Sequence, residues 1–169
     1  MKKRILVTGA TSGIGRATAL RLATPESEII ITGRRRERLE ELRAEIEALG
    51  AECRVLHFDV RSEQECIDNL KPLGRVDVLI NNAGGNLSLP ANDYSEAQWR
   101  QIFETNLFSA FELCRHAHPL LSRHGASAIV NVGSVSGLTH VRSGVVYGMT
   151  KAGMHQMTKN LACEWAGDG

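Results

Sequence analysis

Short apolar runs bounded by turn residues recur along the chain: Ile5 to Val7, Ile29 to Ile31, Arg54 to Phe58, Val76 to Ile80 and Ala128 to Val132. Between them the apolar positions take helical spacing. Leu39, Leu42, Ile46 and Leu49 follow one another at steps of three, four and three, which sets all of them on one helix face with Glu and Arg opposite. A later helix keeps Trp99, Ile102, Phe103, Leu107, Ala110 and Leu113 or Cys114 inward, and Asn106 falls on the same stripe. Continuous apolar strands alternating with amphipathic helices predict a parallel sheet covered on both faces, because parallel neighbours need crossover helices. The expected class is doubly wound α/β with strand order 3-2-1-4-5, since right-handed crossovers and a glycine turn on the first strand leave few alternatives.

Length and charge narrow the partner. A chain of 169 residues buries a substantial core as one domain, so residues 1–169 are expected to form a single unit. The formal net charge of +1 gives no general attraction to nucleic acid or a membrane surface, which points to a small molecule. Cys53, Cys66, Cys114 and Cys163 are far apart, with no C-x-x-C and no His at ligand spacing; they read as reduced core thiols, and no metal is expected. The basic start Met1 to Arg4 is followed only by Ile5-Leu6-Val7 before glycines intervene, too brief for a signal peptide, and no stretch approaches a membrane span. A cytoplasmic location is the resulting expectation.

The first strand runs into Thr8-Gly9-Ala10-Thr11-Ser12-Gly13-Ile14-Gly15, with a helix beginning near Ile14. Glycines here permit positive φ and remove the Cβ atoms that would keep a pyrophosphate from backbone N–H groups at a helix N-terminus. A plain strand-to-helix turn would need only one of them. No Lys-Ser or Lys-Thr follows, which excludes a P-loop. Near the end of the second strand, where an acid would take the ribose 2′-hydroxyl of NAD, the chain has Thr32-Gly33-Arg34-Arg35-Arg36. Three cations at a helix N-terminus oppose its dipole, a cost that a bound 2′-phosphate reverses. NADP(H) is therefore expected ahead of NAD(H), with Arg34 and Arg35 as contacts; the alternative is a solvated charge run.

Tyr147 and Lys151 are four apart, hence on one helix face. A phenol, with an ordinary pKa of about 10, is a weak base at neutral pH, and an ammonium beside it favours the phenolate. Such a pair arises by chance in any helix. Ser134, directly after a strand, changes its standing, because open α/β sheets bind ligands at strand C-terminal ends and a hydroxyl there can donate to a developing alkoxide. Ser136 in the same loop is the competing candidate.

These residues together resemble the short-chain dehydrogenases/reductases: Thr8 to Gly15, Asp59-Val60, Asn81-Asn82-Ala83-Gly84, Asn106, Ser134 and Tyr147 through Lys151 match that family's motifs in order across essentially the whole chain. Details such as Asn82 to Asn86 and Leu161 to Trp165 are similar to its tropinone-reductase-like branch. The resemblance implies that Tyr147 is the general acid/base, that Lys151 tunes it while holding the nicotinamide ribose, and that Ser134 orients the substrate oxygen. It implies that Gly9, Thr11, Ser12, Gly13, Ile14 and Gly15 serve the pyrophosphate, Asp59 and Val60 the adenine end, and Asn82, Ala83 and Gly84 the adenosine ribose. Asn106 would hold a water in a proton relay, or be satisfied by neighbouring backbone. It further implies a carbonyl or alcohol substrate, a homodimer or homotetramer of the full-length form, and two further strands and a substrate loop beyond those present here. A non-catalytic dinucleotide-binding or sensing module stays open as an alternative. A nucleic-acid binder using Arg34 to Arg38 is disfavoured, because that charge is local and the total is balanced.

Overall fold

The computed structural model describes residues 1–122 and 125–168. Strands and helices alternate: β1 (Lys3–Val7), α1 (Gly13–Leu22), β2 (Ser27–Gly33), α2 (Arg36–Ala48), β3 (Glu52–His57), α3 (Glu63–Leu70), β4 (Val78–Asn81), α4 (Glu96–Phe103), α5 (Ser109–Leu121), β5 (Ala128–Asn131) and α6 (Val145–Glu164). The five strands form one sheet in the order β3-β2-β1-β4-β5, every ladder parallel. The order reverses between β1 and β4, so the loops leaving these two neighbours part and open a crevice at the strand C-terminal ends.

Successive strand residues face opposite sides, and both sides are packed. Leu6, Ile30 and Leu79 meet Leu70, Leu113 and Cys114 on one face, while Ile5, Val7, Ile29 and Ile31 meet Ala19, Leu39, Leu42 and Ile46 on the other. The α2 stripe is one residue shorter than its spacing suggests. Leu49 caps the helix and is 51% exposed, because Gly50 at φ +86° turns the chain away before it can point inward. Strand β5 also departs from the doubly covered pattern: Ala128 and Val130 are exposed. Cys66 and Cys114 are buried and Cys53 half-buried, with burial pushing these thiols up to about 12, 11 and 12 respectively. Cys163 is exposed on α6 and is not a core thiol.

The helix expected through residues 99–114 is interrupted. A π-helical turn, Glu104–Phe108, lies between α4 and α5, and Asn106 sits in it with no exposed surface. Such a turn inserts one residue into the helical register and redirects the side chains around it. Among the described residues, no helix is long and apolar enough to cross a membrane.

Candidate active site

The β1–α1 turn is held by a neighbour that its own sequence does not reveal. Gly9 and Gly13 have φ of +63° and +57°, the left-handed region in which a side chain is strained. A Cβ on Gly9 would lie 2.8 Å from Ala83 Cα, and one on Gly15 would lie 2.3 Å from Asn82 Nδ2. Asn82 Nδ2 donates to the carbonyls of Thr8 (2.9 Å) and Gly9 (3.2 Å), while Thr8 Oγ1 accepts from the backbone N–H groups of Asn82 (3.0 Å) and Ala83 (2.9 Å). The loops after β1 and β4 are thus locked together across the crevice. Of the Asn82 to Gly84 stretch, the asparagine side chain faces the turn as a clamp, and Ala83 and Gly84 complete the wall.

This crevice holds about 720 Å³. Gly9, Thr11, Ser12, Ile14, Arg34, Arg35, Asp59, Val60, Asn82, Ala83 and Gly84 all line it, so one space gathers segments separated by some seventy residues of sequence. Gly13 and Gly15 shape the turn from outside that lining. Gly33, Phe58 and Thr105 also line it and were not singled out by sequence; the tight fit at Gly33, where a Cβ would lie 2.7 Å from Thr11 Cγ2, arises only in the folded chain.

The cations of the crevice are placed differently from one another. Arg35 caps α2 and lays its guanidinium over the glycine turn, with Nε 3.2 Å from Thr11 Oγ1 and an Nη 3.0 Å from Ser12 Oγ. Arg34 is largely exposed and reaches within 3.9 Å of Asp59 Oδ2. Asp59 is the crevice's carboxylate, but Arg61 holds it with Nε at 3.1 Å from both oxygens and an Nη at 2.6 Å. The Arg61 hydrogen bonds keep the Asp59 carboxyl below the usual carboxylate range. The net field facing a ligand at this end is therefore positive.

Asn106 joins the crevice to α6. Its Oδ1 accepts from Gly85 N–H at 2.8 Å, and its Nδ2 donates to Gly85 O at 2.8 Å and to Thr150 Oγ1 at 3.3 Å. Both amide hydrogens are spent on protein groups, as backbone satisfaction of a buried amide requires, and one Oδ1 lone pair is left over. Thr150 in turn adjoins Lys151, which is 5% exposed. Lys151 Nζ donates to Val132 O, just beyond β5, at 2.7 Å, and lies 5.7 Å from the centroid of the Tyr147 ring. Burial without a carboxylate partner holds this ammonium below the usual lysine range.

Ser134 caps the short turn Val135–Gly137, its Oγ accepting from Ser136 N–H and donating to Ser136 Oγ, both at 3.2 Å. That turn packs on α6: a Cβ on Gly137 would lie 2.6 Å from the carbonyl carbon of Lys151. Ser134, Tyr147 and Lys151 are thereby gathered where β5 meets the first turns of α6, and Ser136 stays within one hydrogen bond of Ser134. His116 and His118 lie elsewhere on α5, paired with Glu63 and Asp168.

Known proteins are similar to this chain in sequence and, among solved structures, in fold. The chain is 41% identical over 171 residues to a tropinone reductase homolog of Arabidopsis thaliana, a match covering 98% of this chain and 65% of that relative. It is 36% identical to the senescence-associated protein 13 of the same plant, covering 96% of this chain and 62% of that protein. The chain thus spans less than two thirds of the length of these relatives. Among solved structures it is similar to an NAD+-bound xylitol dehydrogenase (TM-score 0.93, 31% identity, 99% of this chain and 66% of that one). A short-chain type dehydrogenase/reductase from Mycobacterium ulcerans is also similar (TM-score 0.91, 25% identity, 99% and 65%). The family model described as short chain dehydrogenase matches residues 3–169, and with that span covered the chain belongs to the short-chain dehydrogenase family.

Proposed function

We propose that residues 1–169 form one nucleotide-binding unit that also carries the catalytic groups of an oxidoreductase, exchanging a hydride between NADP(H) and a carbonyl or secondary alcohol with Tyr147 as general acid/base. The observation that carries this reading is the buried Lys151, anchored to Val132 O one helical turn from Tyr147. Desolvating an ammonium is costly, and a buried lysine held by a carbonyl beside a phenol is the kind of arrangement that clusters at functional sites.

The crevice fits a dinucleotide, since its lining runs from the glycine turn at Gly9, Thr11 and Ser12 to Arg34, Arg35 and Asp59, at the C-terminal ends of the strands. Gly9, Thr11, Ser12, Gly13, Ile14 and Gly15 would hold the pyrophosphate, Asp59 and Val60 the adenine end, and Asn82, Ala83 and Gly84 the adenosine ribose. Arg34 and Arg35 would hold the 2′-phosphate, which is why NADP(H) is favoured over NAD(H). A bound nicotinamide supplies or accepts the hydride. Tyr147 donates its hydroxyl proton to the substrate oxygen during reduction and recovers it during oxidation. Lys151, with N–H donors left beyond the one given to Val132, would hold the nicotinamide ribose beside the Tyr147 ring. Ser134 turns its hydroxyl from Ser136 to the reacting oxygen. Asn106 keeps the Gly84-Gly85 wall in register with α6, and its free lone pair can seat a relay water. The same reading extends to a homodimer or homotetramer of the longer form, with exposed Phe108 and Phe111 on and beside α5 as apolar surface, and to a cytoplasmic location.

Nucleotide titration calorimetry together with NADPH oxidation over a panel of carbonyls tests this. NADPH should bind more tightly than NADH. Replacing Arg34 and Arg35 by Ala should weaken NADPH by about 1.5–3 kcal/mol, typical of hydrogen bonds to charged groups, and leave NADH nearly unchanged. Equal affinities in the unmodified protein would refute the NADP assignment. Tight NADPH binding with no oxidation in the chain or its longer form would establish the binding module instead.

A further inference from the structure

A second cleft, of about 720 Å³, lies between the loop before α4 and the segment from Ser136 into α6. Hydroxyls connect it to the catalytic serine: Ser134 Oγ donates to Ser136 Oγ at 3.2 Å, Ser136 Oγ and Ser143 Oγ are 2.9 Å apart, and both Ser136 and Ser143 line the cleft. Asn86 Nδ2 donates to Ser143 O at 2.8 Å, tying the two walls together. A substrate whose oxygen meets Ser134 and Tyr147 therefore has this space beside it for the rest of its body.

The charges around this space are one-sided. Arg142 and His140 line it and no Asp or Glu does. Both are exposed, and among the described residues neither has a hydrogen bond or ion pair. Among the described residues Arg4, Arg16, Arg54, Arg61, Arg75, Arg100 and Arg115 face carboxylates, while Arg142 shares its lack of one with Arg21, Arg35, Arg36 and Arg38, none of which lines this cleft. The sequence agrees over a longer range: between Glu112 and Glu164 there is neither Asp nor Glu, while Arg115, Arg123, Arg142, Lys151 and Lys159 fall there. The balanced total hides this asymmetry, because the acids are concentrated in the other half. The remaining lining is largely apolar and open, with Leu138 76% and Met149 53% exposed.

We propose that the substrate of this site carries an anionic group of the carboxylate or phosphate kind, joined to its reacting carbonyl through an apolar segment, and that Arg142, assisted by His140, receives that anion. The proposal rests on the reading of Ser134 and Tyr147 given above. A guanidinium with no carboxylate of its own is free to pair bidentately with an incoming one, and the lack of nearby acids removes both competition and repulsion. Solvent exposure keeps the gain modest, at about two- to fivefold in affinity.

The test is titration calorimetry of the chain with matched probes, with and without NADP+. Pyruvate, 4-oxopentanoate and 5-oxohexanoate are each compared with their methyl esters, and dihydroxyacetone phosphate with dihydroxyacetone. At least one charged member should bind about two- to fivefold more tightly than its neutral counterpart. Arg142→Leu, with its fold checked by circular dichroism, should erase that preference, Arg142→Lys should keep part of it, and Tyr147→Phe should leave it intact. Equal binding within every pair, binding of no probe, or a preference that survives Arg142→Leu overturns the proposal. The two readings fail separately: acids bound selectively without NADPH consumption would remove the reductase reading, whereas consumption equally fast with acids and esters would remove this one.

Discussion

Replacing Gly15 by Ala is the sharpest probe of how the nucleotide turn is held. The added Cβ would lie 2.3 Å from Asn82 Nδ2 and 2.6 Å from Gly9 O, so the Asn82 amide must withdraw. It then loses its bonds to Thr8 O and Gly9 O, at about 1 kcal/mol each. Forcing a methyl against the Gly9 carbonyl adds about 1–3 kcal/mol. Ala in place of Gly within α1 returns at most about 1 kcal/mol of helix propensity, and less in the first turn. The net loss is about 2–5 kcal/mol. Gly13→Ala is the internal control, because no atom lies within 4 Å of its Cβ and only the φ of +57° is strained, for about 1–2 kcal/mol. Urea unfolding followed by circular dichroism should show both variants with an unchanged m-value and Gly15→Ala with the lower midpoint. In an Asn82→Ala background the Gly15→Ala penalty should shrink, since one of the two obstructing groups is gone. A Gly15→Ala protein as stable as the parent, or more stable than Gly13→Ala, would refute the clamp.

Tyr147→Phe should abolish NADPH oxidation by the chain or its longer form while leaving nucleotide affinity nearly intact, and retained activity would show that the proton comes from elsewhere. Lys151 is held below its ordinary range by burial, so the unfolded chain binds the proton more tightly; stability should rise with pH through the window up to the ordinary lysine value of 10.5. Lys151→Met should lack that rise, and parallel urea stability-versus-pH curves for the two proteins would contradict the assignment. Asn106→Ala leaves the Gly85 N–H and C=O without their partner and should cost roughly 2–4 kcal/mol in thermal or urea unfolding, far more than a surface Asn→Ala change. Ser134→Ala should lower turnover without weakening NADPH, measured by single-turnover kinetics beside calorimetry.

Much of this site is local in sequence and therefore readable from it. A helical offset of four places Tyr147 and Lys151 together wherever the helix forms, and glycines at Gly9 and Gly13 are demanded by backbone conformations that the turn must adopt. The alternation of apolar strands and amphipathic helices likewise determined a parallel sheet and its order, because crossover geometry permits few arrangements.

What only the tertiary structure decided is which distant groups meet. Nothing near Asn82 in the chain reveals that its amide belongs to Thr8 and Gly9, or that Asn106 spends both amide hydrogens on Gly85 and Thr150. The π-helical turn that carries Asn106 has no periodic signature, since one inserted residue leaves the apolar stripe on either side intact. The exposure of Leu49 followed from a helix ending one residue early, and the unpaired state of Arg142 from the absence, among the described residues, of a carboxylate folded against it. Periodicity records the face a residue shows to the core. Hydrogen bonds and charge pairs depend on separations of a few ångströms between segments far apart in sequence, and those are set only when the layers pack.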